Sequence, residues 1–418
     1  MSAGVAQHTR RRSPRLGVVL ITATSLSIAG CAGSSDSPSA SATSLAPATL
    51  PQVLATTTTQ VASTTTTEVP VRHLSTMFSG DVLVHSSIWK RATKYANGDG
   101  YDFRPMFAEI QPLVSSVDLA VCHLETPIAA PGKKPQTYPR YATPEEILAG
   151  IASAGYDRCS TASNHSMDQG IDGVIATDNA FEAAGITEAG TARDAAEAIP
   201  DVLDVNGVKV AHLSYAYSTG WIHLPEGEPW WANQIDTDRI LADARQAREM
   251  GAEIVIVSMH WGVESHSQAS PTQVEQANIL TASGLIDLIV GHHAHVVQPI
   301  EQINGVWTVF GMGNSLSNMP VGPYPPTSQD GVLVEVDFDI AADGTVTVHR
   351  PVVYPTRVDK GYSYAIQDVL TELASPDLTA RQRSDFRKSL RRVSAVLGEF
   401  VATAPFHLPG SGSGAGPR

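Results

Sequence analysis

Cysteine is scarce: Cys31, Cys122 and Cys159 are the only three in 418 residues. No pair stands in a Cys-x-x-Cys spacing, which argues against a thiolate-held structural zinc or an iron–sulfur cluster. Cys122 and Cys159 fall in short apolar runs that read as neighbouring strands. Two cysteines define no disulfide framework, so both are expected to be ordinary buried thiols, although an exported chain would permit a bridge. Positive charge is also short, with 28 Lys+Arg against 42 Asp+Glu and a net charge of −14. So acidic a surface does not bind nucleic acid or an anionic polymer across its breadth. An anionic substrate would need a local positive centre, which a metal pair supplies. A Gly-x-Ser-x-Gly nucleophile elbow is missing, which weakens any serine-hydrolase reading. No internal repeat marks a solenoid or propeller.

Long apolar runs are missing too. Leu16–Ile28 is a mostly apolar stretch of 13 residues, too short to cross a hydrocarbon core of roughly 30 Å as a helix. Behind Arg10, Arg11, Arg12 and Arg15 it reads instead as the apolar region of a signal peptide. Ile28-Ala29-Gly30-Cys31 resembles the bacterial lipobox, with Cys31 the lipidated first residue of the mature chain. The expectation is an exported protein held by its lipid on the extracytoplasmic face of the cell membrane. Residues 1–31 are then the leader. Residues 32–72, rich in Ser, Thr, Ala and Pro, form a disordered tether. Residues 73–358 form the folded domain, 359–405 a C-terminal helical segment, and 406–418 a disordered tail.

Within the domain, strands and helices alternate. Ser75–Val84, Asp118–Leu124, Tyr156–Ala162, Glu253–Met259 and Leu285–Val290 are apolar runs of the kind found in strands buried on both faces. Phe103–Ser116, Gly170–Gly185 and Pro271–Ser283 follow helical spacing. Thr143-Pro144-Glu145-Glu146 reads as a helix start with Thr143 as N-cap. Asn206-Gly207 predicts a type I′ hairpin, and Pro299–Tyr354 reads as further hairpins around Asn304-Gly305 and Asp343-Gly344. The pattern predicts an α/β fold of two packed sheets flanked by helices. Trp221, Trp230 and Trp231 read equally as a groove wall or as packing under a loop. Arg381, Arg383, Arg387, Lys388, Arg391 and Arg392 lie on a C-terminal amphipathic helix, as a solvated face or a contact with anionic lipid or polymer.

Metal-ligating residue types collect just after the apolar runs, the edge at which open α/β sheets bind ligands. They are Asp81 with His85 behind it, His123 and Glu125, Asn164 and His165 followed by Asp168, His260 with Glu264, and His292, His293 and His295. One such residue after a strand is an ordinary cap or turn. Five successive strand ends carrying them argue for one site. Two divalent cations need a bridging carboxylate, imidazoles on each metal and a neutral oxygen ligand, and these types supply all three.

The blocks FSGDVLVH, LAVCHLETPI, STASNHSMDQG, VSMHWGVES, DLIVGHHAHVVQP and VFGMGNSLSN, in this order over about residues 75–320, resemble the CapA proteins of poly-γ-glutamate capsule synthesis, a branch of the calcineurin-like metallophosphoesterases. The resemblance implies a metallophosphoesterase-like four-layer sandwich: two packed mixed β-sheets with helices outside. It implies two divalent metal ions (manganese, zinc or iron) held by Asp81, Glu125, Asn164, His260, His293 and His295. Asn164, His165 and His293 would be the catalytic contacts, with His292 the alternative to His293. His85, His123, Asp168 and Glu264 are further ligands or supports of ligands. The family pattern usually has Asn-x-Glu where this chain has His123-Leu124-Glu125, so His123 is either an added ligand or a hydrogen-bond partner beside the metals. The implied activity is metal-dependent hydrolysis or transfer on a phosphoester or amide-type linkage of an anionic polymer, with membrane proteins of a synthesis or export assembly as partners. A non-catalytic polymer-binding subunit and an extracytoplasmic phosphodiesterase or nucleotidase are the alternatives.

Overall fold

The structure, a computed structural model, describes residues 70–406. The leader, Cys31, most of the tether and nearly all of the expected tail lie outside the described residues. The chain first lays down β1 (Arg72–Val82), β2 (Leu119–Leu124), β3 (Arg158–Ser160) and β4 (Thr187–Ala189). A second sheet follows: β5 (Leu203–Val205), β6 (Val208–Ala216), β7 (Ile254–His260), β8 (Leu288–His292), β9 (Ile300–Ile303) and β10 (Val306–Val309). The chain then returns to the first sheet with β11 (Asn314–Leu316), β12 (Asp330–Ile340), β13 (Val346–Val348), β14 (Val352–Val358) and β15 (Ile366–Asp368).

The first sheet runs β15-β14-β12-β1-β2-β3-β4, and the second β5-β6-β7-β8-β10-β9. Neighbours from β1 to β4 are parallel, as are β6, β7, β8 and β10, whereas β12, β14 and β15 pair antiparallel. Both sheets are therefore mixed. Every residue of β2, β7 and β8 is buried, as their unbroken apolar runs require.

Three apolar layers account for the stacking. Between the sheets, Leu74, Phe78, Leu119 and Val121 meet Val210, Ile254, Ile256, Leu288 and Val290. Outside the first sheet, helix Ile147–Ala154 packs with Phe103, Phe107 and Leu124. Outside the second, helices Thr237–Glu249 and Pro271–Thr281 cover Val255, Val257 and Met259. Helix, sheet, sheet, helix is the four-layer sandwich that the resemblance implies. Each large apolar side chain so buried contributes about 1.5–3 kcal/mol.

Local expectations fared unevenly. The Asn206-Gly207 turn has φ of 52° and 83°, and Asn304-Gly305 has 49° and 85°, the left-handed pairs that a type I′ hairpin needs. Phe103–Ser116 is not one helix but two short ones, Arg104–Phe107 and Gln111–Val114, because Pro112 restarts the backbone in a new first turn. Thr143 caps nothing. Its backbone pairs with Ile128, its hydroxyl bonds Thr126, and the helix begins only at Ile147.

The expectation of two separate thiols is overturned. Cys122 and Cys159 are joined by a disulfide. The reason is register: they stand directly opposite on the adjacent parallel strands β2 and β3, with Cα atoms 4.4 Å apart. Sequence showed neighbouring strands but not which residues face one another.

Candidate metal centre

The carboxyl ends of the parallel strands of both sheets point to one edge. Asp81 is near the end of β1, His123 and Glu125 at the end of β2, and Asn164 and His165 follow β3. His260 closes β7, His292 closes β8, and His293 and His295 follow in the next turn. Close backbone approach makes this possible. Asp81 N–H donates to the Gly313 carbonyl at 2.9 Å, and a Cβ at Gly80 would stand 2.1 Å from that oxygen. The turn after β8 is strained: His293 and His295 hold φ of 84° and 56°, a conformation L side chains rarely adopt. That twist brings His293 N–H to Asp81 Oδ2 at 3.2 Å and turns the two imidazoles toward Glu125.

Four sets of side chains offer ligand atoms that all lie within 4.8 Å of one another: Asp81/Glu125/His295, Glu125/His260/His293, Asp81/His123/His292 and Glu264/His293/His295. Glu125 belongs to the first two. Its carboxylate is fully buried, yet neither Oε1 nor Oε2 has a hydrogen-bond partner, and buried His293 Nδ1 has none either. A buried carboxylate left so costs several kcal/mol unless a cation meets it. Asn164 Oδ1 lies 2.9 Å from His260 Nε2, on the Glu125/His260/His293 side. Donors of this kind, with two orphaned carboxylate oxygens at their centre, fit a pair of divalent ions sharing Glu125.

The electrostatics agree. Burial pushes the Glu125 carboxyl up to about 7. His295 is buried too, but Glu125 and Asp81 outweigh that and push it up to about 10. Burial also raises Asp81, but the nearby His292 and His295 outweigh it and hold the carboxyl well below the usual range. Burial and His295 press His293 down to about 3, and burial depresses His123 and His260. The centre thus favours positive charge between Asp81 and Glu125, where His295 sits, while burial keeps His123, His260 and His293 neutral, the state in which an imidazole ligates.

Supporting residues hold these groups in place. His295 Nδ1 lies 3.0 Å from both Asn314 Oδ1 and Asp81 Oδ2, which turns Nε2 toward Glu125, 3.6 Å from Oε1. His123 is wedged between Ser160, whose Oγ is 2.8 Å from Nδ1, and His260, whose Nδ1 is 3.0 Å from Nε2; its ring stacks on His292 at 4.0 Å. His165 Nδ1 lies 2.7 Å from Asp168 Oδ2, and that oxygen also accepts from Tyr141 N–H at 2.7 Å. His85 stands apart from all four sets: its Nε2 is 3.3 Å from the Tyr141 hydroxyl, and burial depresses it to about 4. Glu264 is exposed and approaches His293 and His295 from solvent.

Three contributors were not singled out from sequence. Asn314 sits inside the recognised block VFGMGNSLSN, so its signal was present. Ser160 looked like any polar residue in an apolar strand. Tyr141 packs edge-on to His165 at 4.8 Å and His85 at 5.6 Å, and nothing in its loop sequence marked it. Of the tryptophans, Trp231 is buried and clusters with Trp230, Met167 and Val174, whereas Trp221 is 71% exposed.

The sequence pattern of the family described as bacterial capsule synthesis protein PGA_cap matches residues 75–319, more than half of the chain and all of the centre. The chain belongs to that family. Among its relatives, the capsule biosynthesis protein CapA of Bacillus anthracis is 28% identical over 266 residues, covering 59% of this chain and 61% of its own. The PGA biosynthesis protein CapA of Bacillus subtilis is 25% identical over 245 residues, covering 58% and 62%. The chain therefore spans about three fifths of the length of these two relatives. A probable polyglutamine synthesis accessory protein of Mycobacterium tuberculosis is 29% identical over 310 residues, covering 70% and 77%. Among solved structures, the calcineurin-like phosphoesterase YfkN of Bacillus subtilis aligns with 16% identity and a TM-score of 0.43, over 78% of this chain and 98% of that one.

Proposed function

We propose that this capsule-synthesis family member is a divalent-metal-dependent hydrolase or transferase acting on an anionic, poly-γ-glutamate-type polymer outside the cytoplasmic membrane. The observation that carries the reading is Glu125: fully buried, without a hydrogen bond at either oxygen, and common to two ligand sets. In this reading Asp81, Glu125 and His295 would hold one ion, and Glu125, Asn164, His260 and His293 would hold the other. Two ions bound there would supply Lewis acidity for hydrolysis or transfer. His165, oriented by Asp168 and only partly buried, holds or passes a proton at the leaving group. Tyr141 packs edge-on against its ring and covers one side of it. The relatives' names support the polymer context, and the dense ligand set favours an enzyme over a passive binding subunit.

Elemental analysis of the purified protein should find about two divalent ions per chain. Asp81→Ala and His260→Ala should lower that content and abolish hydrolysis of γ-glutamate polymer or phosphoesters while the domain stays folded. A folded protein that takes up no metal on reconstitution would sink the reading. We also propose that Cys31 anchors the chain to the membrane, on the strength of the charged, apolar and Cys-terminated leader. Cys31→Ala should move the protein out of the membrane fraction or leave it unprocessed; unchanged fractionation would contradict the anchor.

A further inference from the structure

The segment from Thr126 to Thr143 contains Lys133, Lys134 and Arg140 and no acid, in a chain whose net charge is −14. All three cations are exposed, and none enters a salt bridge among the described residues. The segment is fastened to the metal centre. Gln136 and Ala142 exchange backbone hydrogen bonds at 2.9 and 3.2 Å, closing residues 137–141 into a tight tip. Tyr141 N–H donates to Asp168 Oδ2 at 2.7 Å, and Gln169 Nε2 donates to the Tyr141 carbonyl at 2.8 Å. Ser86 N–H reaches Thr137 Oγ1 at 3.3 Å. Tyr138, in the same tip, is 68% exposed. Arg140 is thus the residue next to a tyrosine that packs on His165, the partly exposed histidine of the centre.

This placement is hard to explain by stability. An exposed arginine without a partner contributes little to folding, and loops positioned by a rigid scaffold are where recognition residues concentrate. We propose that the loop at residues 129–142 is the substrate-reading arm of the centre, with Arg140 taking an anionic group beside the scissile linkage and Lys134 and Lys133 the groups that follow. Lys134 stands two residues before the Gln136–Ala142 pairing, about 7 Å along extended chain, and Lys133 beside it lines a pocket with Tyr101, Glu145 and Glu146. An arginine fork matches a carboxylate bidentately, and lysines serve as point charges farther along. The occupant is a polycarboxylate chain, an assignment that rests on the polymer reading of the proposed function.

The test is calorimetric titration of the full chain with short and long γ-linked glutamate oligomers at several salt concentrations, with bound metal quantified in each sample. Arg140→Ala should weaken binding of both lengths about tenfold and flatten the salt dependence, with metal content unchanged and Arg140→Lys intermediate. Replacing Lys133 and Lys134 by Ala should weaken only the long oligomer. Arg245→Ala, an exposed arginine of helix Thr237–Glu249 on the far layer, should bind like the unsubstituted chain. The inference is overturned if Arg140→Ala binds normally, if Arg245→Ala loses as much, if polyphosphate of equal charge is preferred, or if no oligomer binds. Arg140-dependent binding without hydrolysis would leave the arm standing and remove the catalytic reading instead.

Discussion

His123 occupies the position where the pattern the sequence resembles usually carries asparagine, and its contacts suggest why an imidazole serves there. The Ser160 hydroxyl donates to the Cys122 carbonyl at 3.3 Å. Ser160 can then accept from His123 Nδ1–H, and His123 Nε2 can accept from His260 Nδ1–H. In that proton order His260 presents a bare Nε2 lone pair beside Asn164 Oδ1, the tautomer a ligand needs. His123 is then the residue that orients His260. Its loss should cost metal affinity about 10–100-fold, the usual scale for such partners. Glu125→Ala should cost more, because it removes the carboxylate common to both ligand sets. His123→Asn keeps an acceptor and should retain most affinity. Metal titration of the three variants, with circular dichroism as the folding check, decides the matter. A folded His123→Asn protein that binds no metal would instead make His123 a ligand.

At the scale of elements, alternation and apolar runs located nearly every long strand, because a strand buried on both faces leaves an unbroken apolar signal. Failures came where tertiary pairing claimed a residue that local chemistry had assigned elsewhere. Thr143 has the chemistry of an N-cap and is spent on a bridge to Ile128. Cys122 and Cys159 have the look of buried thiols, and only the register of β2 on β3 makes them a disulfide. That bond has a consequence at the centre, since its neighbours in sequence are His123 and Ser160. Replacing both cysteines by alanine opens a loop with a sequence separation of 37 and should lower stability by about 2–4 kcal/mol. It should also loosen the His123–Ser160 contact, so metal affinity should fall with it. Denaturant unfolding of the metal-free protein isolates the first effect, and metal titration well below the transition isolates the second. Equal stability of the two forms would show that the sheet alone holds the register.

For the whole molecule, the ligand types and their strand ends were legible, but which atoms meet was not, because the centre joins two sheets. Asp81, Glu125 and Asn164 come from the first sheet and its following loop; His260, His293 and His295 come from the second. Metal bound there would tie the sheets together, and chelation should destabilise the domain as one unit rather than a single loop. At a free metal concentration one hundred times Kd, the loss on chelation is about 2.7 kcal/mol. Glu125 supplies the control. Its carboxyl is raised from the ordinary carboxylate value to about 7 by burial, so it favours the folded metal-free state while protonated. That contribution is full below the unfolded value near 4.5 and is lost as pH rises through about 7. Glu125→Gln keeps the shape and removes the charge. Without metal, the variant should therefore melt higher than the unsubstituted protein at pH above about 7 and nearly match it at pH below about 4.5. With metal the order should reverse, because glutamine cannot offer two anionic oxygens between the ions. Thermal unfolding at both pH values, with and without chelator, reads all four states. If Glu125→Gln were destabilising in the metal-free protein at high pH, His295, 3.6 Å from Oε1, would be satisfying the buried carboxylate by itself, and the argument for a metal ion at its oxygens would lose its footing.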